Sequence, residues 1–196
     1  MRVFISWSGP VSKETAESLR EILPCMIQGI QVFLSQHDIE SGSRWGNQLA
    51  AALQESSFGV LCLTLANLAS PWLLFEAGAL TKHMEGRACG LLLGGLRAAD
   101  VSGPLAQFQH RTFAEEGVLS LVKDINSKAA SPLNESQVAM VFAKWWPDLE
   151  SAYNENLKAA DKAASAPRRE DREILEEILL RVRYLEPQTT ETSTKR

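Results

Sequence analysis

The chain has 196 residues, 45% of them hydrophobic, and a formal net charge of −4. That length allows one domain of about 140–160 residues plus an appendage, and the acidic balance argues against a nucleic-acid surface, which needs a basic face. No apolar stretch reaches the roughly 18 residues of a membrane span, the N-terminus has no signal-peptide layout, and the three cysteines (Cys25, Cys62, Cys89) are far apart and odd in number. Reduced core cysteines and a cytoplasmic location are therefore expected.

The predicted elements alternate. Residues 2–6 (RVFIS) form a short β-branched run that reads as a buried strand. Ser8-Gly9-Pro10 breaks it, and residues 11–23 carry apolar or small residues at helical period, closed by Pro24. Residues 30–34 are a second strand, 35–43 a polar loop, and 45–53 a helix with Trp45, Leu49, Ala52 and Leu53 on one side. Residues 58–65 (FGVLCLTL) are the most apolar strand.

Residues 71–83 follow as a helix. Ser70 suits an N-cap, and Pro71 suits the first helical position, where its missing N–H has no partner to lose. The helix is apolar nearly all round, so most of it is expected to be buried. Glu76 breaks that pattern, and a buried acid is expensive unless it is paired or faces a cavity. Trp72 lies four residues earlier, on the same helix face. Trp72 alone reads more readily as core than as site, and Glu76 alone would equally serve to bond a backbone N–H. Together, an aromatic wall and a lone carboxylate suit a planar ring and a developing positive charge.

Residues 88–93 are a fourth strand, ended by Gly94-Gly95, and a short fifth strand is weakly indicated at 111–113. Residues 115–128 and 135–146 are helices, the second expected to end at Pro147. Strands alternating with helices imply an α/β fold, a parallel sheet of about five strands with helices on both faces. Such sheets bind ligands at the strand C-termini, where Ser6-Trp7-Ser8, the 35–45 loop and the start of the 71–83 helix would converge. A domain over 1–150 is followed by a helical extension, 151–185, and a polar tail, 186–196, expected to be disordered. Within the extension, Leu175, Ile178, Val182 and Leu185 recur at spacings of 3, 4 and 3. That seam fits self-association as well as it fits packing on the parent domain.

Several chemistries lack their residues. There is no phosphate-binding G-x-x-x-x-G-K-[ST] loop, no G-x-G-x-x-G after the first strand, no G-x-S-x-G elbow and no C-x-x-C. His37, His83 and His110 show no metal-ligand spacing. A phosphoacceptor receiver domain would need acids where Ser6-Trp7-Ser8 and Leu63-Thr64-Leu65 stand.

Four motifs taken together resemble a bacterial TIR (Toll/interleukin-1 receptor) domain over roughly residues 1–150. They are Val3-Phe4-Ile5-Ser6; Asp38-Ile39 with Gly42 and Trp45; Ser56-x-Phe58-Gly59-Val60 leading to Cys62-Leu63-Thr64; and Ser70-Pro71-Trp72 through Phe75-Glu76-Ala77-Gly78-Ala79-Leu80. The resemblance implies a flavodoxin-like sheet and, as in many bacterial members, cleavage of NAD+ at the nicotinamide–ribose bond. It implies Glu76 as the catalytic glutamate, with Trp72 completing a W-x-x-x-E. Ser6 and Trp7 would line the nucleotide pocket, and Asp38 and Trp45 would contact substrate or serve assembly. NAD+ is then the substrate, and no cofactor or metal is expected. The expected partners are other copies of the chain, through TIR contacts or the 168–185 helix, and an operon-encoded sensor or effector; neither nucleic acid nor membrane is expected. The expected activity is that of an NAD+ glycohydrolase or cyclase in antiphage defence, giving ADP-ribose or a cyclic ADP-ribose-type signal. The alternative is a non-catalytic TIR–TIR interaction module; a nucleoside deoxyribosyltransferase, which also uses a helix-borne Glu, is a third reading.

Overall fold

Five apolar runs pair into one parallel sheet in this computed structural model, which describes residues 1–35, 51–83 and 87–165. They are β1 (Arg2–Ser6), β2 (Gln31–Leu34), β3 (Phe58–Leu63), β4 (Ala88–Leu92) and β5 (Gln109–Thr112). The order is β2-β1-β3-β4-β5, every neighbouring pair parallel, which is the flavodoxin-like order. The fifth strand begins two residues before the expected 111–113 run, and Phe113 still donates its N–H to the Leu92 carbonyl at 2.9 Å.

Four α-helices lie wholly within the described residues: α1 (Pro10–Met26), α2 (Pro71–His83), α3 (Glu115–Asn126) and α4 (Glu135–Ser165). Residues 51–55 are also helical. Side chains alternate along each strand, so the sheet feeds two cores. Val3, Ile5, Val60 and Leu91 pack with residues of α1, α3 and α4. Phe4, Leu61, Leu63 and Leu92 pack on the other face with Ala52, Leu53 and the α2 residues Leu73, Ala77 and Leu80. Cys62 and Cys89 are free and buried in the first core. Burial pushes the Cys89 thiol up to about 12 and the Cys62 thiol higher still, so neither supplies a thiolate.

Two helices run through the prolines expected to end them. Pro24 lies inside α1 and Pro147 inside α4. A proline removes the bond to the carbonyl four residues back and crowds it. Here those carbonyls belong to Arg20 and Ala143, both exposed, so water can take up the loss. The opposite faces hold the helices in place: Leu23 and Met26 are buried in α1, and Trp146, Leu149 and Tyr153 in α4.

The chain divides into two compact units, Met1–Asp161 and Lys162–Arg196, and the described residues lie almost wholly in the first. Residue 150 falls inside α4. Tyr153 stacks on Phe113 with ring centroids 3.8 Å apart, and its hydroxyl accepts the Gly94 N–H at 2.7 Å, so the helix is still part of the core there. The 168–185 seam and the 186–196 tail lie outside the described residues. Among the described residues no helix is long and apolar enough to cross a membrane.

Candidate active site at the strand C-termini

The chain leaves β1 through Gly9, whose φ of 88° suits glycine, and Pro10 opens α1. Ser12 then bonds back into that turn. Its hydroxyl accepts the Ser8 N–H at 3.1 Å and donates to the Ser8 carbonyl at 2.6 Å. After β3 the chain turns over Asn67, which is buried. The Asn67 side-chain oxygen accepts the Thr64 N–H at 2.8 Å. Its amide donates to the carbonyls of Ser8 at 2.9 Å and Cys62 at 3.0 Å. One carboxamide thus ties the end of β1 to the loop that starts α2. Ser70 adds a second tie, because its hydroxyl donates to Ser8 Oγ at 3.0 Å while its carbonyl accepts the Leu74 N–H. Ser70 therefore stands where a cap residue stands, but its hydroxyl serves the neighbouring strand end.

Within α2 the buried residues are Leu73, Glu76, Ala77 and Leu80, one face at helical spacing. The helix is not buried all round, as its even apolarity suggested. Phe75 is 52% exposed, and Pro71 and Gly78 are exposed beside it. One sheet face can cover only one stripe of a helix, so the remaining apolar residues stay outside.

Glu76 is the chemical centre of the arrangement. It has no accessible surface, and the Ser6 hydroxyl, also fully buried, donates to its Oε2. Burial raises its pKa to about 8; hydrogen bonding from Ser6, Ser35 and Trp72 opposes that rise without cancelling it. Oε1 has no hydrogen-bond partner among the described residues, and neither has Ser35 Oγ. Ser35 is close enough to favour the carboxylate, but its hydroxyl does not meet hydrogen-bond geometry. Trp72 is half-buried, its indole acts on Glu76 as the four-residue spacing suggested, and its ring lies 6.4 Å from that of Phe75.

The structure thus gathers Ser6, Trp72 and Glu76. It does not bring Trp7 to them: Trp7 is buried in the core formed with α1, α3 and α4. Asp38 and Trp45 lie outside the described residues. Sequence reasoning missed Ser35 and Asn67. Ser35 immediately follows β2, which a parallel neighbour of β1 places at the same sheet edge as Ser6; that was the available signal. Asn67 had none beyond a turn-forming residue in a loop. A cavity of about 370 Å³ opens elsewhere, at the N-terminal edge of the sheet between Phe58, Ala88, Gln109 and the end of α3.

Residues 3–121, more than half of the chain, match the family model of the TIR domain. The chain belongs to the TIR domain family. No curated protein matches this TIR chain. Among solved structures it is similar to a metazoan TIR-STING receptor from C. gigas, solved in complex with 2′,3′-cGAMP, with 22% identity and a TM-score of 0.48. That similarity covers 67% of this chain but only 40% of the receptor chain. It is also similar to the TIR domains of the activated Roq1 resistosome, which directly recognises the pathogen effector XopQ. There the identity is 14%, the TM-score 0.40, and the coverage 92% of this chain and 98% of that one. In this TIR domain the W-x-x-x-E pair lies on the helix after the third strand.

Proposed function

We propose that this TIR domain cleaves NAD+ between nicotinamide and ribose, with Glu76 as the catalytic carboxylate. The observation that carries the reading is one buried carboxyl at the strand C-termini, held by a serine hydroxyl and faced by an indole. Nicotinamide leaves a cationic ring as a neutral pyridine, so no general acid is needed, whereas most glycosidases use two carboxyls. One carboxylate suffices to stabilise oxocarbenium character at the ribose, and Trp72 packs against the ring or ribose. The cationic ring also favours the ionised acid on binding. Because Glu76 has no accessible surface, substrate entry parts the side chains that cover it.

The product is ADP-ribose or a cyclic ADP-ribose-type signal, and NAD+ is a substrate rather than a cofactor. Ser6 acts first on Glu76; Trp7, Asp38 and Trp45 are the further residues proposed for substrate binding. The setting proposed is cytoplasmic antiphage defence, with self-association through TIR contacts or the 168–185 helix and an operon-encoded sensor or effector as partner. The domain division proposed remains a TIR domain, a helical extension and a tail.

Nicotinamide release from NAD+ by the purified chain, beside Glu76→Gln, tests the reading. Release by the wild type and a loss of about 10²–10³-fold in the variant are expected. Release unaffected by the substitution would sink the assignment. A non-catalytic TIR–TIR module is the second reading. It is favoured by the apolar surface left by Phe75 and by Leu65, which is 75% exposed. No release from either protein, even when oligomerisation is forced, would establish it.

A further inference from the structure

β1 and β2 run parallel in a register that pairs Ile5 with Leu34, so Ser6 and Ser35 emerge side by side at the strand ends. The Ser35 N–H bonds the Ile5 carbonyl at 3.1 Å, which fixes that residue's backbone against β1. Both serines are fully buried. Ser6 is spent on one carboxyl oxygen of Glu76. The other oxygen, Oε1, and the Ser35 hydroxyl are both buried without a hydrogen-bond partner among the described residues. Buried polar atoms are seldom left so, and two of complementary kind beside one another call for a shared explanation.

We propose that Ser35 is a positioning residue for Glu76, its hydroxyl turning to donate to Oε1 when the acid ionises, so that Ser6 and Ser35 grip one carboxylate oxygen each. The proposal rests on reading Glu76 as the acid of the NAD+ site and extends that site to a residue of a second strand. A serine hydroxyl carries one donor and two acceptor lone pairs and rotates freely. With Oε1 protonated, the carboxyl donates to Ser35. With the carboxylate formed, Ser35 donates instead, and this charge-assisted bond is the stronger of the two. The pair therefore favours ionisation in a place where burial opposes it. The described groups acting on the carboxyl are Ser6 from β1, Ser35 after β2 and Trp72 from α2 itself; none is charged.

The test is a direct titration of Glu76 in the 196-residue chain. The glutamate side-chain carboxyls are labelled with ¹³C, and the Glu76 signal is assigned by its loss in Glu76→Gln. Ser35→Ala should move the titration midpoint up by about one pH unit, a tenfold change in the ionisation constant, and Ser35→Thr should restore it. Ser6→Ala should move it in the same direction. If Ser35→Ala does not fold, Ser35→Cys, a weaker donor of similar size, should give a smaller upward shift. A midpoint unchanged in whichever of these variants folds would overturn the proposal. The readout needs no turnover, so a failure of NAD+ cleavage and a failure of the Ser35 assignment are told apart. Where the chain cleaves NAD+, kcat/KM for Ser35→Ala should follow the displaced titration.

Discussion

The Ser6 hydroxyl donates to Glu76 Oε2 across 70 residues of sequence, with both side chains fully buried. One residue ends the first strand and the other lies in the second turn of the helix after the third. Their meeting defines where the sheet edge becomes chemistry.

Stability should fall as pH rises. The folded acid keeps its proton to about pH 8, while an unfolded glutamate loses it near 4.5. The folded state therefore binds the extra proton in that window, and the stabilising contribution is complete below pH 4.5 and gone above about 8. The limiting slope is about 1.4 kcal/mol per pH unit. Glu76→Gln removes the titration, so its melting temperature should exceed that of the wild type by more at pH 8 than at pH 5. Thermal denaturation at the two pH values checks this; an equal difference at both would mean the carboxyl does not titrate between them.

The rate should carry the same ionisation. With the carboxylate as the active form, kcat/KM for NAD+ cleavage should rise about tenfold per pH unit up to about pH 8 and then level off. The pH profile of kcat should bend at a lower pH, because bound substrate brings its positive ring to the acid. Initial rates of nicotinamide release across pH, at limiting and saturating NAD+, separate the two profiles.

Asn67→Ala should destabilise the domain by about 2–4 kcal/mol. It strips partners from the Thr64 N–H and from the carbonyls of Ser8 and Cys62 in one step. Asn67→Asp keeps the acceptor for Thr64 but loses both donors, so it should be no milder. Urea denaturation measures the loss, and a change under about 0.5 kcal/mol, the level of an ordinary surface substitution, would show that the hub is dispensable.

Two helical glycines should respond in opposite directions to alanine. At Gly117, near the start of α3, an added Cβ would stand 2.1 Å from the Thr112 carbonyl oxygen, backbone that cannot rotate away. At Gly78 in α2 nothing lies within 4 Å. Gly117→Ala should cost more than about 2 kcal/mol, and Gly78→Ala should stabilise by up to about 1 kcal/mol. Paired denaturation curves decide it, and equal responses would contradict the packing at the turn from β5.

What could be read from the sequence was whatever leaves a local pattern. The bounds of α2 follow from Ser70-Pro71 and its apolar run, and Glu76 stands out because it interrupts that run. The parallel sheet is a consequence of alternating elements, whereas its flavodoxin-like order is implied only by the TIR resemblance. Ser35 and Asn67 are harder to read, because Ser35 is marked only by its place after β2 beside β1, and the Asn67 tie to Ser8 spans 59 residues that no spacing along the chain records. Pro24 and Pro147 mislead for a related reason. A proline's local effect is fixed, but whether it ends a helix depends on which side faces water and on what is buried opposite. Phe75 and Glu76 are neighbours in sequence, yet one is exposed and the other buried, which apolarity alone does not distinguish.

The burial of Glu76 also bears on how such a domain changes over generations. A neutral residue at that position folds into a more stable chain, so drift under selection for folding alone runs toward losing the acid. Retaining it requires continued selection for what the acid does. A lineage released from that requirement should lose the carboxyl early while keeping the sheet, and the same scaffold would persist as a more stable, chemically silent domain.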